Sequence, residues 1–311
     1  MNQGTIIKVI GIGGAGGNAI NRMMQAKVKG IELIAVNTDA QDLKKIRAHQ
    51  KVRIGNESTQ GLGAGMNPEI GRRAAEESRE ELTQVLRGAD MVFLAAGLGG
   101  GTGGGAIAIL AEIAKSQGAL TIAVVTKPFS FEGAWRMRLA DKALEELRGK
   151  VDTLLVIQND QIVKLSDAET TVLDAFWKAD EILRQAVQGI SDLIVMPGII
   201  NLDFADVKSI MGHSGQAVFG MGRAKGEKRI EFALEMALQS PLLDMSIKGA
   251  RGVLFNIAGA EDISLGEVQE AAQKIKEKVS PHAKIIFGAV YDKSLKQGEV
   301  KLTIIATGFD R

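Results

Sequence analysis

The 311 residues suffice for two domains of ordinary size, and a composition of 45% hydrophobic and 24% charged residues is typical of a globular protein. The 38 lysines and arginines balance 37 aspartates and glutamates, which argues against nucleic-acid binding through bulk charge. With no cysteine and only three histidines, disulfides and thiolate metal sites are excluded and a zinc site is not expected.

The chain opens on a strand, a glycine-rich turn and a helix, predicted at residues 6–10, 11–18 and 19–25. The spacing of Gly11, Gly13 and Gly16 matches the GxGxxG dinucleotide fingerprint. Asp39 follows the next predicted strand, residues 31–36, at about the distance expected of a ribose-binding acid. A nicotinamide-binding Rossmann domain is therefore one hypothesis.

The sequence contains three glycine-rich loops, at residues 11–18, 96–105 and 61–66. The last of these, which we call the third glycine loop, precedes a helix that is predicted from Pro68 to about Arg87 and ends at Gly88. Asn67 is placed to cap this helix, and Pro68 occupies the first turn, where its missing N–H costs nothing. The loop is either a plain connection or a contact to the γ-phosphate of a nucleotide.

The stretch AGLGGGTGGG, residues 96–105, contains seven glycines between an apolar strand at 91–95 and a helix predicted from Ala106 to residue 116. Glycine permits positive φ and close approach of backbone to a ligand. Successive N–H groups at a helix start form an anion site, so we expect a phosphate here; a flexible linker is the alternative. A second glycine loop exceeds the needs of a simple dinucleotide domain, and neither loop carries a Walker A lysine.

Later elements include strands at 120–126 and 153–157 and one long amphipathic helix, residues 171–194, which is long enough to connect two domains. Glu132 and Arg136 are four residues apart, so on a helix they would share one face. An exposed ion pair explains this spacing as well as a functional role does. Gly189 inside the long helix indicates close packing.

Two carboxylates, Asp203 and Asp206, stand three residues apart in NLDFADV, residues 201–207. They suit activation of a water or the holding of a cation, and complementarity with a helix dipole is the alternative. From Gly226 onward the pattern predicts a compact α+β domain with a capping box at Ser264 and Glu267, without a phosphate loop or a titratable cluster.

Seven of these segments together resemble FtsZ, the bacterial cell-division GTPase family related to tubulin, in order and spacing over essentially the whole chain: GIGGAGGNAINRM, GLGAGMNP, AGLGGGTGGG, PFSFEG, DAFWKAD, LRQAVQGISDLI and NLDFADV. The resemblance implies an α/β fold in which a Rossmann-like parallel-sheet GTPase domain (1–170) is joined by a central helix (171–196) to a smaller α+β domain (197–311). The family's usual GGGTGTG reads GGGTGGG here, and Gln158 replaces a usual proline.

The resemblance also implies the site residues. The α- and β-phosphates of GTP or GDP would be held by backbone and hydroxyl groups of Gly13, Gly14, Gly99, Gly100, Gly101, Thr102 and Gly103. The loop with Ala64 and Gly65 would sense the γ-phosphate, and Glu132 and Arg136 would contact the ribose and phosphate region. The guanine would be held by Asn18, Asn159, Phe176 and Asp180.

Catalysis is implied at Asn201, Asp203 and Asp206, which would act with Mg²⁺ on the nucleotide of the next subunit in a head-to-tail homopolymer. The family binds division proteins and membrane tethers through a C-terminal tail, which does not follow Arg311 in this sequence. We expect a cytoplasmic protein at the division site, on the inner face of the membrane, without membrane insertion. A non-hydrolysing scaffold and an NAD-dependent oxidoreductase are the alternatives.

Overall fold

The computed structural model of the protein describes residues 4–164, 169–196, 198–200, 202–240 and 246–309. The chain divides into two compact units, residues 1–188 and 189–311. The division falls inside the long helix that the sequence predicts at 171–194, which runs from Val172 to Val195.

The first unit is built on a parallel sheet of six strands in the order β3-β2-β1-β4-β5-β6. The strands are β1 Ile7–Ile12, β2 Ile31–Asn37, β3 Gln50–Arg53, β4 Met91–Gly97, β5 Leu120–Lys127 and β6 Thr153–Gln158. Four of them are almost continuously apolar, which is typical of strands covered by helices on both faces. Ile10 and Ile12 face a large core cluster on one side, and Gly11 lies against Gly16 of the first helix on the other.

Eight α-helices and one 3₁₀ turn are described for the first unit, the last of them continuing into the second. They are α1 Gly13–Gln25, α2 Ala40–Lys45, α3 Pro68–Glu77, α4 Arg79–Leu86, α5 Gly101–Ser116, the 3₁₀ turn Ser130–Glu132, α6 Ala134–Leu147, α7 Asn159–Lys164 and α8 Val172–Val195. The predicted apolar face of α8 is buried at Ala179, Leu183 and Ala186, but Val172 and Phe176 at its start are exposed.

In the second unit the sheet order is β8-β11-β9-β10-β7, and only the β9–β10 pair is parallel among the described strands. The elements are β7 Gly198–Ile200, α9 Phe204–Met211, β8 Gly215–Lys225, α10 Arg229–Leu238, β9 Gly252–Gly259, α11 Leu265–Lys276, β10 Lys284–Tyr291 and β11 Glu299–Thr307. One face of this sheet packs on α10 and α11 around Phe255, Ile257 and Ile304. The other face packs against α8 at Gly189, where a Cβ would lie 2.7 Å from Phe219. The close packing predicted at Gly189 is therefore confirmed.

The predicted continuous helix from Pro68 to Arg87 is wrong, because α3 and α4 are separated at Ser78. Ser78 leaves helical geometry at φ −99°, ψ 17°, and its Oγ accepts a hydrogen bond from the N–H of Gly55 at 3.2 Å. The predicted cap is confirmed, since Asn67 accepts from the N–H of Glu69 at 3.0 Å. A serine that engages a neighbouring loop ends a helix that the periodicity alone extends.

Strand β8, the longest described strand, is not predicted from the sequence. Its eleven residues, GQAVFGMGRAK, mix glycines with charged residues and lack a clear alternation of period two. Pairing with β11 along nine residues stabilises it in the sheet.

The second unit does contain a titratable cluster, contrary to the prediction. The buried Arg229 guanidinium binds the carboxylates of Asp262 and Glu267 at 2.7 and 2.5 Å, tying α10 to the start of α11. These hydrogen bonds lower the pKa of both acids. The capping box at Ser264 and Glu267 is confirmed.

Candidate functional site

Two helices begin side by side at the carboxyl edge of the first sheet. Strands β1 and β4 are parallel neighbours, and each passes through a glycine turn into α1 or α5. A Cβ on Gly13 would lie 3.2 Å from the N atom of Gly103, so the two helix starts are adjacent. Neither N-cap, Ile12 or Gly100, makes a side-chain capping bond, and neither first turn contains an acid. Their N–H groups are therefore suited to bind an anion such as a phosphate.

The glycines of residues 96–105 serve two purposes, because α5 begins at Gly101 and not at Ala106 as predicted. Within this stretch only Gly99 has positive φ, at 89°, and a side chain on Gly100 would meet open space. Residues 101–105 already belong to α5, where glycine permits backbone contact with neighbouring segments. A Cβ on Gly103 would lie 2.7 Å from the carbonyl oxygen of Gly97, and one on Gly105 would lie 2.6 Å from the N atom of Arg72.

The first glycine turn is likewise shorter than predicted, since α1 begins at Gly13 rather than at Ala19. Gly13 has φ 70°, whereas a Cβ on Gly14 would lie an ordinary 3.6 Å from Asp42. Exposed Asn18 projects from the second turn of this helix.

The third glycine loop packs directly on the start of α5. A Cβ on Gly101 would lie 2.7 Å from the Cβ of Ala64, while a Cβ on Gly65, with φ 54°, would meet open space. Beside this contact, the hydroxyl oxygens of Thr38 and Thr102 are 2.6 Å apart. The loop is thus held against the same helix start that presents Thr102.

A partly buried ion pair lies at the start of α6, beside the central glycine turn. The Oε2 of Glu132 is 2.6 Å from Arg136, and its Oε1 accepts from the N–H of Phe129 at 2.9 Å. The Glu132 side chain is 9% exposed and that of Arg136 is 36% exposed, so the pair is only partly exposed. The Arg136 backbone lies against Gly99, where a Cβ would be 2.7 Å from its carbonyl oxygen.

Asp180 on α8 lies beside α1 in a largely buried position. Burial raises the pKa of its carboxyl to about 6, and hydrogen bonds with Arg22 and Asn18 only partly oppose this shift. The Arg22 guanidinium is 3.6 Å from the Asp180 carboxylate and lies 4.5 Å over the Trp177 ring. A carboxylate with so few partners has acceptor capacity left for a ligand.

An aromatic group lies near Asp180, one helical turn earlier on α8. The ring of Phe176, 40% exposed, contacts Phe129 and Phe131 edge-on at centroid distances of 5.2 and 6.3 Å. Asn159 at the start of α7 is buried, and its Oδ1 has no hydrogen-bond partner in the described structure. The first unit therefore has a partly exposed aromatic ring and a largely buried carboxylate on α8, and a buried amide at the start of α7.

The two predicted catalytic acids lie at the start of α9 in the second unit. Asp203 is the N-cap residue, and its Oδ1 accepts from the N–H of Asp206 at 2.7 Å. Asp203 therefore caps the helix, as the helix-dipole reading predicts, and it is exposed; its role in activating a water stays a prediction. Asn201 lies outside the described residues, as does Pro197.

Comparison with known proteins identifies the family. The model of the Tubulin/FtsZ family GTPase domain matches residues 6–167, and the model of the FtsZ family C-terminal domain matches residues 215–310. An empty FtsZ dimer from M. jannaschii is 44% identical to this chain, covering 99% of it and 89% of the M. jannaschii chain, with a TM-score of 0.94. The chain belongs to the Tubulin/FtsZ family. The resemblance and the fold class predicted from the motifs are confirmed.

Two further structures extend the comparison. A point mutant of M. jannaschii FtsZ is 45% identical, with 98% and 92% of the two chains covered and a TM-score of 0.93. CetZ2 from Haloferax volcanii, solved as a GTPγS-bound protofilament, is 22% identical, with 99% and 94% covered and a TM-score of 0.81, and shows the fold alone. Membership in this family of tubulin-like GTPases makes GTP and GDP the nucleotides of the first unit.

Two residues that the sequence did not point to contact the predicted site residues. Thr38 contacts Thr102 across the sheet edge, and Arg22 contacts Asp180. A signal existed for Arg22, which is four residues after Asn18 and therefore shares its helix face. None existed for Thr38, since its contact joins residues 64 positions apart.

The described residues contain no group of three or more histidine, aspartate or glutamate side chains placed to hold a metal ion. Over the same residues, no helix has the length and apolar character required to cross a bilayer.

Proposed function

We propose that this chain hydrolyses GTP within head-to-tail protofilaments of the division ring, where each nucleotide site is completed by the acids of the next subunit. Residues 1–170 form the GTP-binding domain, 171–196 the central helix and 197–311 the domain with the catalytic segment 201–207. The observation that carries the proposal is the pair of adjacent, uncapped helix starts in the first unit together with acids at a helix start in the second. One relative, 44% identical to this chain, is itself a dimer.

In this proposal the phosphates bind at the two helix starts. Backbone N–H groups of Gly13, Gly14 and residues 99–103 hold the α- and β-phosphates, and Thr102 donates its hydroxyl. Support comes from the missing side-chain caps and from the open space at Gly100. Ala64 and Gly65 reach the γ-phosphate because their loop packs on the start of α5.

The guanine binds between Asp180 and Phe176. The Asp180 carboxylate accepts from the guanine N1–H and amino group, a donor pair that adenine lacks, so adenine is rejected. Asn18 and Asn159 add hydrogen bonds, and the unpartnered Oδ1 of Asn159 supports its assignment. Phe176 stacks on the base, and the Glu132–Arg136 pair contacts the ribose and phosphates.

Mg²⁺ fits this site as an ion held chiefly by the nucleotide. The described residues offer no cluster of three acids or histidines, and Mg²⁺ commonly keeps waters and binds through substrate phosphates. The hydroxyls of Thr38 and Thr102 are the nearest candidate protein ligands at the helix starts. When bound, the ion neutralises phosphate charge.

Asp203 and Asp206 polarise the water that attacks the γ-phosphate of the neighbouring subunit, and Asn201 positions it. The Asp203 carboxylate also holds the first turn of α9 by its bond to the Asp206 N–H, which fixes both acids relative to each other. A heterologous contact that does not close repeats into a filament.

The test is phosphate release measured against protein concentration. We expect GTPase activity per molecule to rise steeply with concentration, because an isolated subunit lacks the acids. Asp206→Ala is expected to bind GTP and pellet as filaments but to hydrolyse about 10²–10³-fold more slowly, the usual cost of losing one such group. Constant activity per molecule across the concentration range would contradict the shared site.

Two alternatives are separated by the same assays. A non-hydrolysing scaffold binds GTP without phosphate release, but both acids are present here. An NAD-dependent oxidoreductase needs Asp39 for the ribose, whereas Asp39 instead caps α2 by accepting from the N–H groups of Gln41 and Asp42 at 2.9 and 3.0 Å. Enhanced NADH fluorescence without GTP binding would favour the oxidoreductase.

We also propose that the protein acts in the cytoplasm at the division site, on the inner face of the membrane. Division proteins and membrane tethers would reach it through a C-terminal tail of the kind that the family carries. Binding of a tether to chains with and without such a tail tests this assignment.

A further inference from the structure

Gly288 in β10 occupies a position where the backbone does not require glycine. It lies in the strand interior, is buried, and does not have positive φ. Glycine weakens a strand, so its presence there often marks the close approach of another group. The groups packed against Gly288 therefore explain why a glycine stands there.

Two side chains fill the space that a Cβ on Gly288 would take. That atom would lie 2.9 Å from Oδ1 of Asn256 on β9 and 3.1 Å from Cδ1 of Leu202. Asn256 stands opposite Gly288 in the parallel β9–β10 register and is buried. Leu202 is also buried, at 7% exposure, although the residue after it is exposed Asp203.

Leu202 thus links the sheet of the second unit to the acids of α9. The preceding strand β7 pairs with β10 at Ile200 and Gly198, and this pairing contains a register shift. After Leu202, the chain turns at Asp203, whose carboxylate caps α9. A short irregular strand pair fixes a segment weakly, so the buried leucine supplies the remaining anchor.

We propose that Leu202 and Gly288 form a positioning contact for hydrolysis, in which the gap at Gly288 seats Leu202 and so sets the position of Asp203 and Asp206 against the neighbour's nucleotide. This inference rests on the proposed function of the two acids. Neither Leu202 nor Gly288 touches the nucleotide in this arrangement. Loss of the contact is therefore expected to lower turnover at an assembled site without changing nucleotide affinity.

The experiment compares Gly288→Ala with a matched control, Gly266→Ala in α11, where a Cβ would meet only Ser264 Oγ at 3.9 Å. Gly288→Ala is expected to lower kcat about tenfold at saturating protein concentration, with GTP affinity within about twofold of wild type. The control is expected to match wild type in both. Unchanged kcat in an assembled Gly288→Ala protein overturns the proposal.

A second substitution tests the contact itself. Leu202→Ala alone is expected to lower kcat, because the segment loses its anchor. The double variant Leu202→Ala/Gly288→Ala is expected to have a kcat about threefold or more above that of Gly288→Ala, since the smaller side chain makes room for the added methyl group. If Gly288→Ala does not fold, full turnover by Leu202→Ala with unchanged GTP affinity overturns the proposal, and reduced turnover supports it.

Amide exchange separates this proposal from the proposed function. Because Asp203 protects the Asp206 N–H, displacement of Leu202 is expected to speed exchange of that amide in Gly288→Ala and not in Gly266→Ala. Faster exchange together with wild-type hydrolysis in Asp206→Ala would mean that the positioning contact exists but the acids do not catalyse. Unchanged exchange in Gly288→Ala overturns the contact, whatever the hydrolysis rate.

Discussion

At the scale of single residues, the proposed function makes guanine binding depend on the charge state of Asp180. Its carboxyl is buried beside one cation, Arg22, and burial raises its pKa to about 6. A folded pKa above the unfolded value means that burial of the charged form costs stability. This loss of stability grows as pH rises from about 4 to about 6 and stays constant above pH 6.

We expect GTP affinity to fall as pH drops through 6, because a protonated Asp180 no longer accepts from both guanine donors. If only the ionised form binds, the dissociation constant rises about tenfold between pH 7 and pH 5 for a group with pKa near 6. Equilibrium binding of a fluorescent GTP analogue across this range measures the effect.

Asp180→Asn is the control for this prediction, since the phosphates of GTP titrate in the same range in both proteins. The variant is expected to bind more weakly at pH 7 and to lack the part of the pH dependence that belongs to Asp180. Arg22→Gln is expected to raise the pH of the midpoint by removing the opposing cation. Identical pH profiles for wild type and Asp180→Asn would refute the role of this carboxyl.

At the scale of elements, the crossing of α3 and α5 depends on glycines in both helices. A Cβ on Gly105 would lie 2.6 Å from the N atom of Arg72, and one on Gly71 would lie 2.8 Å from the carbonyl carbon of Gly101. Alanine in a helix is normally favoured over glycine by about 1 kcal/mol. Here close backbone contact reverses that preference.

Gly105→Ala is therefore expected to lower the thermal midpoint by several degrees, because α3 must move away from α5. Gly104→Ala, one residue earlier, is the matched control, since its Cβ would meet Ala143 at an ordinary 3.6 Å. The control is expected to unfold at or slightly above the wild-type midpoint. Thermal unfolding followed by circular dichroism distinguishes the two, and equal midpoints would contradict the packing argument.

At the scale of the whole molecule, the proposed nucleotide site lies in the first unit, whereas Asp203 and Asp206, the proposed catalytic acids, lie in the second. If each active site is shared between subunits, two inactive variants restore each other. Asp180→Ala removes base recognition but keeps the acids, whereas Asp206→Ala keeps the nucleotide and lacks an acid.

An equimolar mixture of Asp180→Ala and Asp206→Ala is expected to regain up to about a quarter of wild-type phosphate release, because random head-to-tail order places an intact acid pair against an intact nucleotide site in about one contact of four. Each variant alone serves as the baseline, with filament mass followed by pelleting. A mixture that pellets together yet remains as inactive as its components would show that the sites are not shared.

The sequence alone determined the family and the parallel strand–turn–helix units, because these depend on local glycine patterns and on buried apolar runs such as Met91–Gly97. The Asn67 cap and the Ser264–Glu267 capping box were equally readable, since both act within one helical turn.

Only the tertiary structure decided the features that depend on distant residues. Ser78 ends α3 because of Gly55, and Arg229 is buried because Asp262 and Glu267 lie beside it. Most glycines of the central stretch proved to be close-packing positions, which depends on which backbone lies opposite. Local sequence records what a segment prefers, whereas burial, ion pairing and steric fit are set by the elements that pack against it.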